Sequence, residues 1–184
     1  REFFYMKKAL LIASVLFIAV ISTACINNIA VQELNNKAAE YMQKGDYEAA
    51  MNRLQASIDL DSTMYETYYN LGIAATNAKK YETAIEAFEN GIKIKPEYAD
   101  FYYSLAVAQA ELAEELVEND EEDSKKEITE ADKTKSQELK EQAIKNVEKY
   151  LEINSQIKDK EEVEEFLKDL KEVEEEEPQK VLKG

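Results

Sequence analysis

An all-α solenoid of antiparallel helix pairs is the fold class this sequence predicts, and three observations predict it. Compared with itself at an offset of 34 residues, the chain places Tyr47 on Tyr81, Glu48 on Glu82, Ala50 on Ala84 and Ile58 on Ile92. The same offset places Tyr68 on Tyr102, Tyr69 on Tyr103, Leu71 on Leu105 and Ala74 on Ala108. A fixed period of about 20–50 residues marks stacked units, none of which buries its apolar face alone. Secondly, Val163, Phe166, Leu167, Leu170 and Val173 recur at the spacing of a single helix face. Thirdly, 4 Gly and 2 Pro in 184 residues leave a turn-rich β architecture starved of turn residues.

The composition also restricts chemistry. There are 39 Asp+Glu against 23 Lys+Arg, a net charge of −16, so phosphate backbones find little neutralising charge. No His is present, which removes the commonest general base and metal ligand. The single Cys excludes an internal disulfide and a thiolate zinc cluster. An enzyme is therefore not expected, and neither a cofactor nor a metal site is. The run Glu118–Asp123 lacks the alternating ligands and central Gly of a calcium loop, so it reads as a solvated acidic loop.

The chain opens with a leader. Met6-Lys7-Lys8 precedes the apolar run Ala9–Ile21 and the small residues Ser22-Thr23-Ala24, the layout of a signal peptide over residues 1–24. Ser22-Thr23-Ala24-Cys25 resembles the lipobox of bacterial lipoproteins, with Ser22 in place of the favoured Leu. That resemblance implies cleavage before Cys25 and acylation of its thiol with chains such as palmitate. Residues 25–30 would be a short linker, and the body would lie close to a membrane. The implied location is the bacterial cell envelope, and the outer membrane if the cell is Gram-negative, because Ile26 rather than Asp follows the cysteine.

Three units follow over residues 31–173. Tyr68-x2-Leu71-Gly72-x2-Ala75, Ala84-x3-Phe88 and Pro96 resemble a tetratricopeptide repeat (TPR) of two antiparallel helices. This unit spans 65–98. Gly72 and Ala84 allow close approach, Tyr68, Leu71, Tyr81 and Phe88 fill the wedge, and Pro96 suits the first turn of the next helix. The preceding unit, 31–64, keeps Leu34, Ala38 and Tyr41 but has Lys37 where Leu is usual; Asp46 after Gly45 is its candidate N-cap. The third unit, 99–155, begins with Tyr102, Leu105 and Ala106. Its second helix is delayed until Ala143 and Val147, so an insertion of about 113–137 is expected, exposed and mobile, with Ser124-x2-Glu127 as a capping box. A capping helix, 160–173 behind Asp159, closes the stack, and the acidic tail 174–184 is expected to be disordered.

The TPR resemblance implies a concave groove lined by the first helix of each pair. Carried onto this sequence, its positions are Gln32, Asn35, Ala39 and Gln43, then Glu66, Tyr69, Ile73 and Asn77, then Asp100, Tyr103, Val107 and Glu111. Tyr69 and Tyr103 are candidate anchors, or they pack on the next helix or beneath the C-terminal one. Glu66, Asp100 and Glu111 favour a partner segment rich in Lys or Arg. TPR domains that clamp a terminal carboxylate use basic groove residues. Asn70 matches one clamp position, but the basic positions read Asn35, Asp100 and Ser104, so no such clamp is expected. The resemblance thus implies a membrane-anchored, non-enzymatic adaptor for a protein or peptide segment. The alternative is a transporter-associated or small-molecule-binding periplasmic lipoprotein.

Overall fold

The computed structural model describes residues 28–118, 127–154, 157 and 160–181. The signal peptide expected over 1–24, the lipidation site Cys25, the N-cap Asp159 and most of the acidic run after Glu118 lie outside them. Seven helices and no strand occur among the described residues. They are α1 (28–43), α2 (Tyr47–Leu60), α3 (Tyr65–Asn77), α4 (Tyr81–Ile94), α5 (Asp100–Val117), α6 (Glu130–Ile153) and α7 (Lys160–Val181). None of them is long and apolar enough to cross a membrane. The chain divides into two compact units, Arg1–Thr63 and Met64–Gly184.

In the first unit α1 and α2 are joined by a turn whose backbone needs a left-handed residue. Gly45 supplies it at φ +75°, and the Gly45 and Asp46 amides bond back to the Met42 and Tyr41 carbonyls. This is the double bond of a Schellman ending. Asp46 then caps α2, its carboxylate accepting from the Ala49 amide at 3.1 Å. Val31, Ala38, Ala50 and Leu54 are buried. Buried Ser57 accepts a hydrogen bond from the Asn35 amide at 2.8 Å, tying the two helices together.

In the second unit α3 packs on α4, α4 on α5, α5 on α6 and α6 on α7, while α3 also touches α5. Two glycines set the closest approaches. A Cβ on Gly72 would stand 2.3 Å from the Phe88 ring, and one on Gly91 would stand 2.1 Å from the Phe101 ring. Both phenylalanines are fully buried, each contributing about 1.5–3 kcal/mol from burial. Gly91 is needed because the Phe101 ring of the next helix occupies the space a side chain would fill. Leu71 and Tyr81 of the expected wedge are buried and Tyr68 is half-buried, but Tyr81 packs with Leu112, Ala113 and Leu139 of the third pair.

Several boundaries differ from expectation. Helix α1 already starts at residue 28, so 28–30 is not linker. Pro96 sits in the turn between α4 and α5 rather than in the first turn of α5, which begins at Asp100. Within the insertion expected over 113–137, the described residues 113–117 and 130–137 are helix extensions of α5 and α6. Ala113 stands one repeat after Lys79, where α3 has already turned, yet α5 runs on to Val117 because Ala-Glu-Glu-Leu-Val contains no breaker. Ser124 of the expected Ser124-x2-Glu127 box lies outside the described residues, and α6 begins after Thr129, which exchanges hydrogen bonds with Asp132 in a full capping box. Ser136 is buried and donates to the Ala113 carbonyl at 2.7 Å, so this extension is packed rather than loose. The capping helix expected over 160–173 continues to Val181, taking in most of the tail expected to be disordered over 174–184.

Candidate partner-binding groove

The groove positions of the second unit lie on α3 and α5. Glu66 and Asn77 are exposed; Tyr69, Ile73, Asp100, Tyr103 and Val107 are half-buried. Asn77 turns its amide onto the Ile73 carbonyl at 2.8 Å. The two candidate anchor tyrosines have equivalent surroundings. Tyr69 packs edge-on to Phe101 of the following first helix with ring centroids 5.5 Å apart, and lies 6.0 Å from Phe88. Tyr103 packs in the same manner on Phe166 of α7 at 5.9 Å, and on Tyr150 of α6 at 5.3 Å. Each ring is therefore a wedge between successive helices, and only its remaining edge faces outward. Helix α7 occupies the position of a further first helix and covers Tyr103. Burial, then the nearby Glu162 and Tyr150, raise the Tyr103 phenol above its ordinary value.

At the start of α3 and α5 the aromatic side chains converge. Tyr98 lies 5.4 Å from Tyr65, 5.6 Å from Tyr69 and 5.4 Å from Phe101. Such tilted and edge-to-face pairs contribute about 0.5–1.5 kcal/mol beyond the area they bury. Burial and the neighbouring Asp100 carboxylate push the Tyr98 phenol up to about 12. One cation enters the cluster. The Lys95 ammonium stands 3.9 Å from the centre of the Tyr65 ring and 5.6 Å from that of Tyr98. Hydrogen bonding to the Tyr65 side chain raises Lys95 above the ordinary lysine value, desolvation opposes the rise, and the Tyr65, Glu97 and Glu66 charges add to it. Glu66, Tyr69 and Asp100 thus share one patch with Tyr65 and Tyr98, while Asn77 and Val107 lie further along their helices.

Two polar features escaped the sequence reading. Glu111, offered as a groove acid, accepts a hydrogen bond from the Tyr81 hydroxyl at 3.0 Å; burial, then this carboxylate, push Tyr81 up to about 12. Gln109 is buried between α5 and α6, donating to Gln142 at 3.0 Å and accepting from Asn146 at 2.8 Å. Gln109 falls one repeat after Ala75, so a repeat comparison marks the change from alanine to glutamine but not its partners. In the first unit Asn35 is engaged with Val31 and Ser57, Gln32 donates to Asn28, and Ala39 and Gln43 are exposed. An open cleft of about 680 Å³ there is lined by side chains that include Glu33, Lys37, Glu40, Tyr41, Lys44 and Arg53, with Lys37 paired to Glu40 at 3.1 Å.

Residues 38–75 and 76–112 match the TPR repeat family. The fold is that of a TPR domain. In overall structure it is similar to the first TPR domain of Spaghetti (RPAP3), solved with an HSP90 peptide, at a TM-score of 0.59 and 18% identity, covering 78% of this chain and 91% of that one. It is likewise similar to the TPR2B domain of yeast Sti1 in its complex with pHsp70, at a TM-score of 0.60 and 14% identity, covering 78% and 98%. At these identities the likeness concerns the fold alone. Small glutamine-rich tetratricopeptide repeat-containing protein 2 of Mycosarcoma maydis is 25% identical over 79 residues, 43% of this chain. A TPR repeat-containing protein of Schizosaccharomyces pombe is 34% identical over 68 residues, 37% of this chain. The chain spans only 22% and 8% of the length of these two relatives.

Proposed function

We propose that this TPR domain is a non-enzymatic adaptor whose groove on α3 and α5 receives a protein segment carrying Lys or Arg. The observation that carries this reading is the patch of Glu66, Tyr69, Tyr98 and Asp100, where aromatic edges and carboxylates share one surface. Tyrosine offers rigid amphipathic contact at low entropic cost, and the two acids select for positive charge. The TPR neighbours solved with HSP90 and Hsp70 partners support peptide capture as the mode of action. The acidic groove argues for a partner of opposite character to the acidic HSP90 peptide SRMEEVD.

Fluorescence anisotropy tests this with two labelled peptides, one rich in Lys and Arg and one rich in Glu. The basic peptide is expected to bind saturably and the acidic one not. Glu66→Lys together with Asp100→Lys should abolish the preference while helicity is retained. Equal binding of both peptides by the unaltered chain contradicts the reading.

A second element of the proposal is the anchor. The Met6–Cys25 pattern supports a diacylated Cys25 holding the adaptor at a bacterial envelope membrane. Cys25→Ala should then lose acyl labelling and membrane association; unchanged labelling would refute the assignment. The rival reading, capture of a small molecule, has its place in the open cleft of the first unit. A thermal shift on adding a metabolite, lost on Lys44→Glu and Arg53→Glu, would favour it.

A further inference from the structure

We propose that Tyr65 and Tyr98 form a receptor for the ammonium group of a partner lysine, and that Lys95 fills this receptor from within the chain until the partner displaces it. The receptor's chemistry stands on its own geometry; that its visitor is a lysine of a bound peptide rests on the groove reading above. The two rings lie 5.4 Å apart and are tilted by 56°, an open V rather than a parallel stack. Lys95 sits over the Tyr65 face at 3.9 Å and reaches Tyr98 at 5.6 Å. A compact ammonium within about 6 Å of two ring centres is the arrangement by which aromatic cages hold lysine and quaternary ammonium groups. A planar guanidinium would want parallel faces.

Lys44 also faces a ring, that of Tyr41, but a single one and at 6.0 Å, and several other lysines turn to acids instead. Lys37, Lys133, Lys149, Lys160 and Lys168 each reach a carboxylate within one helical turn, at 2.7–3.2 Å. Lys95 follows the end of α4, where its backbone is no longer helical, and its ammonium goes to the two rings. Glu66 and Glu97 flank the ammonium and Asp100 flanks the Tyr98 hydroxyl, so the receptor is electrostatically tuned for a cation. Tyr98 also lies 5.6 Å from Tyr69 and next to Asp100, both positions of the proposed groove. The internal contact is the weak, exposed kind, so an incoming lysine displaces it at a modest loss of affinity and needs no rearrangement of helices.

Tetramethylammonium chloride is the probe, titrated into the full chain while the ring resonances of Tyr65 and Tyr98 are followed by NMR. Replacing the resident cation by Lys95→Ala should tighten binding about three- to sixfold, the factor by which an exposed cation–π contact competes. Lys93→Ala removes the same charge two residues away without emptying the rings, and should change the affinity less than about twofold. Adding Tyr65→Leu or Tyr98→Leu to Lys95→Ala should abolish the ring shifts; whichever variant retains its circular dichroism spectrum is the one to use. Equal affinities for Lys95→Ala and the unaltered chain would overturn the proposal. So would an equal gain from Lys93→Ala, or no shift in any variant. If it fails while basic peptides still bind through Glu66 and Asp100, the groove survives and only the role of Lys95 falls.

Discussion

At the scale of single residues, two side chains make predictions that the repeat pattern alone does not. Tyr81 has a folded pKa of about 12, above the ordinary value near 10. A raised value means that the protonated phenol stabilises the fold below pH 10 and that the advantage disappears as pH climbs from 10 through 12. Urea midpoints measured across that range should fall for the unaltered chain and fall less steeply for Tyr81→Phe. A residual fall is expected because Tyr98 is shifted alike. Lys79 holds φ 56°, the position that Gly45 fills one repeat earlier, and makes the same pair of backbone bonds, Lys79 to Thr76 and Lys80 to Ala75. A left-handed non-glycine residue costs roughly 1–2 kcal/mol, partly offset by the greater entropy glycine loses on folding. Lys79→Gly should therefore raise stability by up to about 1 kcal/mol, read as a higher melting temperature; destabilisation would show that the turn does not need the conformation. Gly45 and Asp46 were legible in the sequence because their chemistry states their role. Lys79 was not, since nothing in a lysine announces a left-handed backbone.

Helix packing turns on matched pairs of small and large residues. Gly91 and Phe101 are one such pair, with no room for a single extra methyl. Gly91→Ala should cost about 1–3 kcal/mol by overpacking. Phe101→Leu added to Gly91→Ala should recover part of that loss, so the two changes would be strongly non-additive in a double-mutant cycle. Additive effects would mean that the ring and the glycine do not meet. The repeat spacing made α2, α3, α4 and the core of α5 readable, because apolar and small residues return every 34 positions. It could not show that α5 and α6 lengthen together. That depends on Ser136 reaching the Ala113 carbonyl and on Leu139 meeting Leu112, contacts between segments 23 to 27 residues apart with no repeat partner to reveal them.

For the molecule as a whole, the proposed preference for a basic partner rests on charge. The chain carries a net −16, and the groove patch concentrates acids beside tyrosine edges. Binding of a basic segment should therefore weaken as salt rises, since rim charges are screened within about 8 Å at physiological ionic strength. The groove was legible as a set of positions, because the first helix of every pair presents the same register. Its working surface was not, because Tyr69 and Tyr103 each spend one ring face on the next helix, and α7 covers the second of them. That leaves the patch around Glu66, Tyr69 and Asp100 as the open part. The most direct test places a photo-crosslinking phenylalanine analogue at exposed Glu97 beside the patch, and separately at exposed Glu89 on α4. The account predicts that irradiation in cells traps a Lys- or Arg-rich segment of one partner at Glu97 and nothing specific at Glu89. Capture at Glu89 with none at Glu97 would contradict it.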